Sequence, residues 1–95
     1  MISCSLDPHG RARQRERGRR IAAGITRTHR CPDRLVVQFA PGFDRPALDE
    51  LLTVERECCP FFDFAFDERR RRLTVSVLDP RDAPAIDAIA VMLAR

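Results

Sequence analysis

Residues 62–78 carry the pattern that most limits the fold. Phe62, Phe64 and Phe66 alternate with Asp63, Ala65 and Asp67, and Leu73, Val75 and Val77 alternate with Thr74, Ser76 and Leu78. A period of two puts one set of side chains on each face of a strand, so the aromatic and aliphatic sets belong inward. Between the runs lies Glu68-Arg69-Arg70-Arg71, a charged turn. The segment predicts an antiparallel hairpin, broken after the second strand by Asp79-Pro80.

The rest of the chain supplies partners for it. Ile25–Arg30 predicts an edge strand, Cys31-Pro32-Asp33 a turn, and Leu35–Phe39 a β-branched interior strand ended by Ala40-Pro41-Gly42. Asp44 then caps a helix with Pro46 in its first turn. Leu48, Leu51, Leu52, Glu55, Cys58 and Cys59 share one face of that helix, over residues 45–59, and Pro60 stops it. Asp82 and Pro84 open a last helix with Ile86, Ile89, Ala90 and Leu93 on its apolar face. The expected fold is α+β: a four-stranded antiparallel sheet with two helices on one face, in the order ββαββα. Ninety-five residues suffice for one such domain, placed at 21–95.

Charge divides the chain unevenly. All 17 basic residues are Arg. Residues 1–30 hold 8 Arg against Asp7 and Glu16, a net of +6, whereas residues 31–95 hold 9 Arg against 12 acids, a net of −3. Residues 1–20 contain Pro8, Gly10 and Gly18 and show no apolar face, so they read as a disordered, flexible basic tail that could be deleted without harm to the fold. No apolar run approaches the roughly 20 residues of a membrane-spanning helix. No basic flank precedes an apolar stretch at the start, so the expected setting is the cytoplasm, with its 4 Cys reduced.

One segment points to chemistry: Glu55-Arg56-Glu57-Cys58-Cys59-Pro60. A disulfide between adjacent cysteines closes a strained ring, so the pair is better suited to sharing a soft ion. The strand at 34–40 climbs about 23 Å and the helix at 45–59 descends about 22 Å. A right-handed crossover would therefore return Cys58 and Cys59 to the level of Cys31, with the tip of the 67–72 hairpin at the opposite end. Glu55, on the leucine face, is expensive to bury unless paired or coordinating, and serves as an oxygen ligand or as a base for a thiol proton. The expected metal set is Cys58, Cys59, Glu55 and Cys31. Against reactivity, a helix C-terminus disfavours a thiolate, and a buried Cys is often only a small hydrophobe. His9 and His29 read as surface residues, and Cys4 lies in the tail.

The run Glu55-x-x-Cys58-Cys59-Pro60-Phe61-x-x-Phe64 resembles the signature of a group of small bacterial proteins, mostly uncharacterised, associated with heavy-metal resistance and mercury-responsive regulation. The resemblance spans about residues 25–95 and implies a thiol-based metal or metalloid role. Cys31 and the Arg-rich segment lie outside the signature.

Three functions follow as alternatives. The favoured one is a binding protein for a soft ion, with Zn, Hg, Cu and As as candidates, acting within one chain or across a homodimer. The second is a cysteine-dependent redox or transfer enzyme with Glu55 as base, which no Cys-x-x-Cys motif supports. The third is a nucleic-acid-binding accessory module using the Arg-rich tail, which the acidic body and the lack of Tyr and Trp disfavour.

Overall fold

A computed structural model of the chain describes residues 7–93. It is α+β: helix α1 (Pro8–Ala22), strands β1 (Ile25–Cys31) and β2 (Arg34–Phe39), helix α2 (Arg45–Cys58), strands β3 (Phe62–Asp67) and β4 (Arg72–Val77), a 3-10 turn (Pro80–Ala85) and helix α3 (Ile86–Met92). The four strands form one sheet in the order β1-β2-β4-β3, with every neighbouring pair antiparallel.

The hairpin forms as its alternation requires. Phe64 faces Val75 and Asp67 faces Arg72 across β3 and β4. Asp67 Oδ1 accepts from the Arg70 amide at 3.1 Å, and Arg71 takes the left-handed backbone conformation that closes the tip. β4 lies between β2 and β3, so these two run parallel without pairing to each other, and α2 crosses from one to the other over the strand inserted between them.

Helix α2 starts where Asp44 Oδ1 accepts from the Ala47 amide at 3.0 Å. It buries Ala47, Leu48, Leu51, Leu52 and Glu55. These pack with Leu35, Val37 and Phe39 of β2, Leu73 and Val75 of β4, and Phe62 and Phe64 of β3. Ile86, Ile89 and Leu93 complete the core. A fully buried side chain of this kind stabilises by roughly 1.5–3 kcal/mol relative to its exposed state.

Two expectations need correction. Residues 8–20 are not a tail: they belong to α1, and residues 1–6 lie outside the described region. Asp7 Oδ1 caps α1 by accepting from the Gly10 amide at 2.7 Å. The helix then buries Gly10, Gln14 and Gly18, and finally Ile21 and Ala22. This stripe is too polar and too small to register as an apolar face, yet it lays α1 against α2 and α3. Among the described residues three helices, not two, therefore accompany the sheet. The last helical segment is also split, because Pro84 lacks an amide hydrogen and sits in the 3-10 turn before α3.

Candidate functional site: a buried polar chain ending at a cysteine pair

Glu55 lies four residues before Cys59 and one helical turn above the end of α2, so both fall on the face that α1 and the sheet cover. Glu55 is 6% exposed and Cys59 2%. The Cys59 thiol hydrogen-bonds the Glu55 carboxyl group, and the Cys59 amide donates to the Glu55 carbonyl at 2.7 Å. Cys58 is half-buried and rests against the rim of the core.

The partner that makes a buried carboxyl group tolerable comes from α1. Gln14 Nε2 donates to Glu55 Oε2 at 2.8 Å and to the Leu51 carbonyl at 3.3 Å. Its Oε1 accepts from Arg17 Nη1 at 2.9 Å, and Arg17 Nε pairs with Glu50 at 3.2 Å. A continuous polar chain thus runs from the surface at Glu50, through Arg17, Gln14 and Glu55, to the Cys59 thiol. Among the described residues no buried side-chain nitrogen or oxygen is left without a hydrogen bond. Burial pushes the Glu55 carboxyl above its ordinary pKa, and the bonds from Gln14 and Cys59 offset part of that rise by favouring the ionised form. The carboxyl group is therefore a proton acceptor of raised basicity held against a thiol.

Cys31 is elsewhere. It does lie at the same end of the sheet as Cys58 and Cys59, since Cys31 faces Arg34, Arg34 faces Ser76, and Ser76 faces Asp63 beside Phe62. The hairpin tip is at the other end. But β1 and β3 are opposite edges, about 14 Å apart over three strand spacings. The register also turns Cys31 away from the helices. Arg30 faces Leu35 of the core and reaches over the helix layer to Asp87 at 2.9 Å. Its neighbour Cys31 consequently points to the open face. His29 is exposed on that same face, one cross-strand row away, and His9 is exposed on α1. Among the described residues no three His, Cys, Asp or Glu side chains are grouped so as to hold one metal ion. Of the expected set, Glu55 and Cys59 are in contact, Cys58 is next to Cys59 in the chain, and Cys31 stands apart.

Arg56 does not lie over the thiols: its guanidinium reaches the Phe64 carbonyl at 3.3 Å and stands over the Phe64 ring. Gln14 is the site residue that pattern reading missed. Its one signal is the spacing Gly10-x-x-x-Gln14-x-x-x-Gly18, which places it on a stripe where a neighbouring helix can come close. No helix of the described residues is long and apolar enough to cross a membrane. No family model, no curated protein and no solved structure matches the chain.

Proposed function

We propose that the protein binds a soft metal ion in two-coordinate form through Cys58 and Cys59, with Glu55 accepting a thiol proton as the ion enters. The observation that carries this reading is the hydrogen bond between the Cys59 thiol and the buried Glu55 carboxyl group. Capture of a divalent or monovalent ion by two thiols releases two protons. One has an acceptor waiting in Glu55, and the other leaves through half-buried Cys58 to solvent.

Ligand number selects among the candidate ions. Zn(II) in a closed protein site takes four ligands, and among the described residues no group of even three His, Cys, Asp or Glu side chains is placed to hold an ion. A linear ion such as Hg(II) or Cu(I) is satisfied by two thiolates and prefers their softness. These two therefore rank ahead of Zn(II) and As(III). The association of the cysteine signature with heavy-metal resistance agrees with a role in sensing, buffering or delivery.

Native mass spectrometry of the reduced protein against Hg(II), Cu(I), Zn(II) and As(III) tests the reading. One equivalent of Hg(II) or Cu(I) retained by the wild type and lost from both Cys58→Ser and Cys59→Ser is the expected result. Retention by both serine variants would leave the cysteines as core packing.

A further inference from the structure

The side of the sheet away from the helices has chemistry of its own. The register arranges it in rows: Arg27, Gln38, Arg72 and Asp67, then His29, Val36, Thr74 and Ala65, then Cys31, Arg34, Ser76 and Asp63. The two carboxylates are both on β3, and the cationic side chains are all on β1, β2 and β4. A groove of about 300 Å³ opens among Thr26, Arg27, His29, Val36, Gln38 and Arg72.

A β-bulge builds this groove. The pairing of β1 with β2 shifts between Ile25 and Arg27, so Thr26 is the extra residue and its hydroxyl donates to the Gln38 carbonyl at 3.3 Å. Bulges re-aim side chains, and this one brings Thr26 and Arg27 onto the same opening. Arg27 and Arg72 flank Gln38, about 10 Å apart at the backbone. Long guanidinium arms from both sides can therefore meet over it. Among the described residues no carboxylate lines the groove. Among the described residues neither arginine has an acidic partner; Arg72 Nε donates to Gln38 Oε1 at 3.3 Å, and Asp67 opposite it pairs with Arg70. Like charges gathered around a concavity with one apolar wall, Val36, repel one another until an anion fills it.

We propose that this groove binds a small molecule through a terminal phosphate group, held by Arg27 and Arg72 with His29 and Thr26 as further polar contacts. Guanidinium forks match the several oxygens of a phosphate, and two of them match its double charge. A small ligand fits better than a nucleic-acid strand. A strand crossing the sheet would meet Asp63 and Asp67, and none of the paired strand residues on this face is a Phe, Tyr or Trp that could stack a base. The site faces away from the cysteine pair and does not depend on the metal reading.

Titration of the ¹⁵N-labelled protein with phenyl phosphate at constant ionic strength tests it. Expected are saturable shifts confined to residues 26–29, 36–38 and 72. Arg27→Gln and Arg72→Gln should each weaken binding by at least about tenfold, while Arg34→Gln, on the same face outside the groove, leaves it unchanged. Arg27 is exposed and its variant keeps the fold, which a melting curve checks. Non-saturating shifts, shifts centred on Arg11, Arg13 and Arg15 of α1, unchanged affinity in Arg27→Gln, or tighter binding of a single-stranded oligonucleotide than of phenyl phosphate would each overturn the proposal.

Discussion

Gln14 and Glu55, 41 residues apart in the chain, share a 2.8 Å hydrogen bond with both side chains almost fully buried. That bond joins α1 to α2 and sets the state of the carboxyl group beside Cys59. Gln14 uses both ends of its amide, donating to Glu55 and to the Leu51 carbonyl and accepting from Arg17. It is therefore a fixed connector, and its orientation follows from which partners donate and which accept.

Gln14→Ala should cost about 1–3 kcal/mol, the penalty for leaving a buried group without its donor. A lower melting temperature for this variant checks it. Deleting residues 1–22 should be far worse, because it also uncovers the core at Ile21. A truncated protein that melts like the full chain would show that α1 contributes nothing to the fold.

Glu55→Gln should change how stability depends on pH. A carboxyl group whose folded pKa is raised above the ordinary 4.5 adds stability that is complete below that value. The contribution is lost as pH rises through the folded pKa. The variant has no such titration, so its melting temperature should gain on that of the wild type as the pH rises above 4.5. A difference that stays constant over that range would mean the Glu55 carboxyl is not shifted upward.

Parity explains which parts of the site were legible from sequence. Strand alternation and helix caps located β1 to β4 and α2 within a residue or two, because each has an apolar period and a Pro, Gly or Asp boundary. α1 was not legible, because its buried stripe is two glycines and a glutamine until Ile21. The place of β4 between β2 and β3 is set by how the hairpin docks, which no local pattern records. Glu55 and Cys59 are neighbours because Cys59, the C-cap of α2, follows Glu55 by one turn. Cys31 lies at the expected end of the sheet, but its face is not legible from the chain lengths that set the end. The length of β2 sets the end, whereas the Arg30–Leu35 pairing sets the face.

Gly18→Ala should destabilise, against the usual direction for a helix. Replacing an interior helical glycine by alanine ordinarily gains about 0.5–1 kcal/mol. Here the added methyl carbon would sit 2.7 Å from the Met92 carbonyl oxygen and 3.1 Å from Met92 Cγ. The oxygen is backbone, so α1 and α3 must part, at a cost of about 1–3 kcal/mol. A melting temperature at or above that of wild type would mean that the two helices have room to adjust.

Thiol alkylation should separate the three described cysteines by position. Cys31 and Cys58 are half-buried, and Cys59 is 2% exposed beneath the end of α2. Brief treatment of the native protein with iodoacetamide should modify Cys31 and Cys58 and spare Cys59, as fragment-ion mass spectrometry would read directly. One equivalent of Hg(II) added first should then protect Cys58, because a two-thiolate ion occupies it together with Cys59. Cys31 should remain as reactive as before, since it lies across the sheet and on its other face. Cys31→Ser should likewise leave Hg(II) retention unchanged, whereas Cys58→Ser and Cys59→Ser should abolish it, a hydroxyl being a hard and poorly ionised ligand. Protection of Cys31 by a single equivalent of metal would contradict the two-thiol site and point to an ion shared between copies of the chain.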